Sequence, residues 1–492
     1  MKAWYEHWQD LKKQKAQKPN EQPYISKNFQ ANLNRLGERE KALMKVAELI
    51  QSTNLINSKP QLLETMKLLG VLVLTAENET TDNLANGILA AIKKAGSQIK
   101  IEAGKDIIVE QNYKIELVSQ NSPPPNDTRW LNGDLWGLEK IEMPKAWKEA
   151  GIDWTQVNGD IILAVIDSGI QAKHPDLERN MWKNPHEIEG NNIDDLPENG
   201  YKDDIHGANI RAKFSKSNCM KKDDQVEGNP FDQTGHGTHV AGVAAAVGNN
   251  DDSSTTKGTV GVIGNGLVKI MAVKITCKDQ NRDDDGSYAH AIQAIEYAAN
   301  MGAHVVNMSW VLPPHMTKTE ILKETIARFD GEGKILFVAA AGNDKNSIDG
   351  AFKRYPASFG AELKNVITVA ASDESDHFWV DSNKGPKSVH LAAPGTSIYS
   401  TKLNTTTNTS TIDQLPGTSV AAPFVAGCAA FIQAVRQSLN PPKRLLNPLE
   451  LRNILIRSGD FSDALALDVG EGELRGKRLN CNTALVDATQ NH

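Results

Sequence analysis

The sequence predicts an α/β domain built on a doubly wound, mostly parallel sheet flanked by helices, preceded by a small N-terminal region that is first helical and then α+β. Three observations carry this prediction. Short apolar runs ending in turn signals recur: Ile161 to Ile166 before Asp167-Ser-Gly169, Val268 to Ile275, His304 to Ser309, and Lys334 to Ala341 before Gly342-Asn343. Runs of this length without polar alternation suit strands buried on both faces, as in parallel sheets. Helical stretches, Tyr288 to Met301, Lys318 to Phe329 and Glu450 to Arg457, fall between or after them in a βαβ-like alternation. Finally, Gly235 and Gly417 each open a run of small residues that reads as a helix able to lie close against a sheet.

A chain of 492 residues is long enough for about two to four domains. Residues 1–58 read as a helical extension, with Leu33, Leu36, Leu43, Val46, Ala47 and Ile50 recurring mostly at three and four. Residues 59–119 read as a strand (Leu68 to Ala76), a helix opening at Asp82 and running to about Lys94, and strands over Gln98 to Glu102 and Asp106 to Val118. Residues 120–128, with Pro123-Pro-Pro125, form a linker by composition, and 129–492 hold the main domain.

Composition excludes several functions. The net charge is −7, and residues 1–60 carry 11 Lys and Arg against 6 Asp and Glu, leaving an acidic body with no basic stripe for nucleic acid. No apolar run approaches the roughly 18 residues of a membrane span. The N-terminus lacks the apolar core of a signal peptide, so the sequence-based expectation is a cytoplasmic protein. Four cysteines, Cys219, Cys277, Cys428 and Cys481, are too few and scattered for a disulfide scaffold. Cys428 is expected as a small buried apolar residue, with a bridge between two of the others left open.

Three residues then supply a chemistry. Ser419 sits at a helix start after Gly417-Thr418, where unsatisfied N–H groups and the helix dipole favour a developing anion. Pro423 is expected in the first turns of that helix, where a missing N–H is tolerated. A serine hydroxyl needs a base and the base an orienting group. His236 lies in Gly235-His-Gly-Thr-His-Val-Ala-Gly242, and Asp167 ends the apolar run from Ile161, at the strand end where α/β sites gather. His239 is expected as a packing histidine.

In the order Asp, His, Ser, these three motifs resemble those of the subtilisin-like serine protease (subtilase) family, over about Trp130 to Val486. The resemblance implies a subtilisin-like fold and hydrolysis of protein or peptide substrates. Ser419 would be the nucleophile, His236 the general base and then acid, and Asp167 its orienting group. Asn343 would donate to the oxyanion beside the backbone N–H of Ser419. The segment through Ser309, Trp310 and Val311 and the segment Ala340-Ala341-Gly342 would form the two walls of the pocket for the residue before the scissile bond. Val311 should crowd the nearby subsites. Arg354 would stand at the pocket floor; pointing inward it would favour an acidic residue, and the solvent-facing orientation is the expected one.

The resemblance also implies that the α+β unit before the main domain acts as an inhibitory, self-cleaved propeptide. Between Asp167 and His236 lie 68 residues, including an acidic loop whose Glu187, Asp194, Asp195, Asp203 and Asp204 are expected candidates for a structural calcium ion. No cofactor is expected for the chemistry itself. An activating protein partner, or a catalytically restrained regulatory protein on the same scaffold, are the alternative readings.

Overall fold

The computed structural model describes residues 61–66, 71–75 and 124–490, apart from 155–158, 196–198, 215–226, 251–257, 278–284, 315, 317, 331–334 and 470–475. The chain divides into two units, Met1–Leu117 and Val118–His492. In the first, strand Gln61–Met66 pairs antiparallel with Val71–Thr75, from Gln61 opposite Thr75 to Met66 opposite Val71. The second of these strands lies within the expected Leu68 to Ala76; the first carries no sequence expectation. The helices expected from Asn28 to Ser52 and from Asp82 to Lys94, the strands expected between Gln98 and Val118, and residues 120–123 of the linker lie outside the described residues.

The second unit is organised around a nine-stranded sheet. Its strands are β1 (Ile161–Asp167), β2 (Gly207–Asn209), β3 (Val268–Lys274), β4 (Val305–Met308), β5 (Leu336–Ala340), β6 (Val366–Ser372), β7 (Leu391–Pro394), β10 (Asp460–Phe461) and β11 (Lys477–Arg478); β8 (Ile398–Asn404) and β9 (Thr409–Leu415) form a separate hairpin. The spatial order is β10-β11-β7-β6-β5-β4-β1-β3-β2, parallel except between β10 and β11. The chain builds outward from β1 on one side and then returns to the other. The reversal therefore falls beside β1, at whose carboxyl end a doubly wound sheet forms its crevice.

Alternate residues of one strand feed two cores. Ile161, Leu163 and Val165 join one cluster, Ala164 and Ile166 the other. Helices α1 (His236–Ala245) and α4 (Thr418–Ser438) contribute to the first, α2 (Tyr288–Asn300) and α3 (Glu320–Ala327) to the second. Helix α5 (Pro448–Arg457) begins with a capping box of Asn447 and Glu450, and α6 (Cys481–Gln490) closes the chain. Strands β6 and β7, the β8–β9 hairpin and α6 carry no sequence expectation. The Ala-rich strands give little periodic signal and are specified by neighbours that bury both faces.

By length and composition α4 could cross a bilayer, yet 94% of its apolar window is buried within the protein core. One expectation is corrected in α4. Cys428 is not a free apolar filler: it is bridged to Cys481, joining α4 to α6 with a Cα–Cα separation of 5.8 Å. Cys277 is disulfide-bonded as well.

Candidate active site

The histidine end begins where β1 stops. Asp167, 5% exposed, accepts the Nδ1 hydrogen bond of His236 at 2.8 Å through Oδ1, which also accepts the Ser168 N–H at 2.7 Å. His236 is the first residue of α1, entered through Gly235 in a left-handed conformation (φ 83°). Gly237 follows because nothing larger fits: a Cβ there would lie 2.1 Å from the Gly169 carbonyl oxygen and 3.1 Å from Asp167 Oδ1.

A carboxylate absent from the sequence expectations couples these segments. Asp232 is fully buried; its Oδ1 accepts from Ser168 Oγ at 2.9 Å and from the N–H groups of Thr234 and Gly235 at 2.9 and 3.0 Å. Its Oδ2 accepts from the N–H and the hydroxyl of Thr238 at 2.9 and 2.7 Å, so one side chain satisfies a free amide in the first turn of α1 and two in the turn before it. Ser168 Oγ in turn accepts the Gly237 N–H at 2.9 Å. The residues beside Asp167 and His236 are thereby tied to each other. Lys274, opposite Asp167 in the register and fully buried, donates to the Phe231 carbonyl at 2.6 Å and anchors the turn that delivers Asp232. Asp232 lies four positions before the first helical residue, outside the N-cap position that sequence patterns mark, so no local signal reveals it.

His239 behaves as expected. It is fully buried, its Nε2 lies 3.0 Å from the Ile398 carbonyl, and burial drives its pKa down to about 3, so it stays neutral.

At the nucleophile end, Ser419 is the second residue of α4, so its N–H has no helical acceptor one turn back. Asn343 Oδ1 accepts the Thr418 N–H at 3.0 Å and the Thr418 hydroxyl at 2.7 Å, which turns its Nδ2 away from Thr418. That nitrogen and Ser419 Oγ converge: both lie close to the point a Cβ on Gly417 would occupy, at 3.3 and 3.2 Å. Gly417, at φ 140°, leaves this space open.

Pro423 sits deeper in α4 than expected, as its sixth residue, and cannot donate to the Ser419 carbonyl four positions earlier. Ser309 Oγ supplies the missing donor at 2.7 Å, itself held by Asn307 Nδ2 at 2.9 Å. Ser309, expected in a substrate wall, thus braces the backbone of Ser419. Helices α1 and α4 meet where the Cβ position of Gly427 lies 3.0 Å from the Ala244 carbonyl. His236 and Ser419 each stand eight residues before that contact, about 12 Å along their helices.

The other proposed wall residues lie at the carboxyl ends of β4 and β5. Ala340 and Ala341 are buried, Trp310 and Val311 half-buried, and Gly342 is left-handed at φ 97°. Arg354 corrects its expectation. It does not face solvent: its side chain is 13% exposed, Nε donates to Asp344 Oδ2 at 2.7 Å, Nη2 pairs with Asp344 Oδ1, and Nη1 donates to the Leu312 carbonyl at 3.0 Å. The guanidinium holds the Asp344 carboxyl below its usual range.

The acidic loop turns its carboxylates onto its own chain. Glu187 accepts the N–H groups of Asp195 and Asp203 at 3.1 and 3.0 Å; Asp194 those of Asn199 and Gly200; Asp195 that of Ile188; Asp203 those of Gly190 and Asn192. Asp204 is buried and accepts from Asn184, Asn199 and the Tyr297 hydroxyl. Burial raises the pKa values of Glu187 and Asp204. Among the described residues no three acidic or metal-ligating side chains gather round one point.

The family model described as "Subtilase family" matches residues 158–478. "Subtilisin-like protease 1" of Plasmodium vivax is 33% identical over 345 residues, 67% of this chain and 49% of that protein. The protein of the same name from Plasmodium falciparum (isolate 3D7) is 32% identical over 322 residues, 63% of this chain and 42% of that protein. The chain thus spans about half the length of these relatives. "Thermitase" of Thermoactinomyces vulgaris is 30% identical over 315 residues, 64% of this chain and 87% of that protein. A solved structure described as a protease from Pseudoalteromonas arctica aligns with a TM-score of 0.53 at 21% identity, covering 74% of this chain and 100% of that one, which is a likeness of fold alone.

Proposed function

Because this chain belongs to the subtilase family, we propose that it is a serine endopeptidase that hydrolyses peptide bonds through an acyl-enzyme formed on Ser419. With Nδ1 of His236 held by Asp167, Nε2 is the nitrogen that takes the Ser419 proton as the hydroxyl attacks the scissile carbonyl. The same nitrogen returns the proton to the departing amine, and water repeats the sequence to release the acyl group. Asp167 fixes the tautomer and stabilises the imidazolium. The carbonyl oxygen, now anionic, is met by Asn343 Nδ2 and the Ser419 N–H. The observation that carries this reading is the Asp167–His236 hydrogen bond at 2.8 Å together with the convergence of Ser419 Oγ and Asn343 Nδ2 beside Gly417.

Substrates on this reading are proteins or peptides, whose backbone adds as a strand alongside Ser309 to Val311. Residues 59–119 act as an inhibitory propeptide, with partner activation as the alternative trigger. The Cys428–Cys481 bridge favours a compartment in which thiols oxidise, against the cytoplasmic expectation.

The test compares wild type with Ser419→Ala, using peptide hydrolysis and labelling by a serine-directed fluorophosphonate. Hydrolysis and a label on Ser419 are expected only in wild type. A Ser419→Ala protein that cleaves peptides at the wild-type rate overturns the assignment. N-terminal sequencing of both samples reads self-processing: a cut between Ser119 and Thr128 in wild type alone supports the propeptide.

A further inference from the structure

The turn that carries Asn343 continues into a cavity that the proposed chemistry does not use. Lys345, Asn346 and Ser347 form one side; His377, Phe378 and Trp379 belong to the other, with Lys384 and Gly385 between, around a volume of about 540 Å³. None of the proposed pocket walls, Ser309 to Val311, Ala340 to Gly342 or Arg354, lines it. Its size falls within the range of ligand sites. Two lysines line it and no carboxylate does, in a chain whose net charge is −7.

Three nearby carboxylates, those of Asp344, Asp349 and Asp376, have partners outside the cavity. Asp344 is paired with Arg354, Asp349 accepts the N–H groups of Lys387 and Ser388, and Asp376 is paired with Lys140 and Arg478. The lining is also rigidly joined to the oxyanion turn. Asn383 Oδ1 accepts the N–H groups of Asp344 and Asn346, both at 3.0 Å, and the Lys384 N–H donates to the Asn346 carbonyl at 2.9 Å. Lys345 is held at φ 57°, a conformation unusual for a residue with a side chain, while its N–H donates to the Asp381 carbonyl at 2.9 Å. Lys384 Nζ lies 5.1 Å from the Phe378 ring centroid, so its ammonium is set against an aromatic face.

We propose that this cavity is a second substrate subsite that takes an aspartate or glutamate side chain of the polypeptide being cleaved. The inference rests on the reading of Ser419 and Asn343 as the reacting centre. Lys345 is two residues beyond Asn343, within about 7 Å along the chain. A bound substrate strand advances about 3.3 Å per residue, so a side chain one to three residues from the scissile bond reaches the lysines. The lysines select for negative charge, and the aromatic rings bury the methylene part of the acidic side chain.

The experiment uses the Ser419→Ala chain after cleavage of its linker in trans by a trace of wild type and removal of the residues before the cut, so that the cleft is open and the readout is binding, independent of turnover. Labelled peptides that differ only in Ala or Glu at each of three positions on either side of one cleavage sequence are titrated against it. One Glu peptide is expected to bind about tenfold more tightly than its Ala counterpart, with the ratio shrinking as salt is raised. Adding Lys345→Ala or Lys384→Ala should each cut that ratio by about threefold, and the pair should bring it near one. Equal binding of Glu and Ala peptides at every position overturns the subsite, as does an undiminished ratio in the double variant. Wild-type hydrolysis of the same peptides is read separately: binding without hydrolysis counts against the proposed reaction and leaves the subsite result standing.

Discussion

The two helix starts that carry the candidate chemistry are built from opposite materials. Around His236 the groups are anionic: Asp167 grips the ring, and the buried Asp232 caps the helix and ties down Ser168. Around Ser419 they are neutral: Thr418 orients Asn343, Ser309 braces the Ser419 carbonyl, and Gly417 leaves the space empty. The charge each site must accommodate explains the difference. In the proposed reaction an imidazolium would form at the first, where carboxylates would stabilise it, and an oxyanion at the second, where only N–H and O–H dipoles help. The one acid beside Asn343 fits this rule, because Asp344 is neutralised by the Arg354 guanidinium.

The largest expected effect tests the anionic half. Asp167→Asn should lower kcat by about 10⁴-fold, the scale found when the triad aspartate of a serine protease is amidated. Asn343→Ala should cost about 10²- to 10³-fold, as for the corresponding donor in subtilisin. Asp232→Asn should act mainly on stability, by about 1.5–3 kcal/mol for a lost charged hydrogen bond, read as a lower denaturation midpoint. Equal losses of kcat at Asp167 and Asn343 would erase the contrast.

Acid should come next. His239 and His390 are both buried, and burial lowers their pKa values from 6.5 to about 3. The unfolded chain binds these protons first, so the stability they contribute is present above pH 6.5 and is lost as pH falls towards about 3. Each should reduce the folding equilibrium constant by up to about tenfold per pH unit in that window. Urea midpoints measured from pH 7 to pH 4 check this, and His239→Gln should flatten the slope.

The smallest effect sharpens the neutral half. Arg354→Ala frees the Asp344 carboxylate beside the oxyanion donor and should cut kcat by about tenfold. Asp344→Asn in the same chain should restore most of it. A failure of that second change to rescue would mean that Arg354 acts through packing alone.

Much of this was legible in the sequence because the signals are local. Apolar runs of strand length ending at Asp167 and Asn343, and glycine turns opening helices at His236 and Ser419, need no partner to be read. Strands β6 and β7, which draw their identity from neighbours covering both faces, and the β8–β9 hairpin, whose first strand is buried against α1, were not legible in this way.

The sequence by itself determined the doubly wound fold and the residue types at each candidate catalytic position. Tertiary structure decided which groups complete them. Pro423 removes a helical donor, but only the fold brings Ser309, 110 residues away in the chain, to the orphaned Ser419 carbonyl. The bridge between Cys428 and Cys481 spans 53 residues and no spacing rule selects it, and the orientation of Arg354 depended on Asp344 being within reach. Periodicity and turn chemistry are written over a few residues, whereas buried donors, acceptors and charges find their partners only where distant elements pack together.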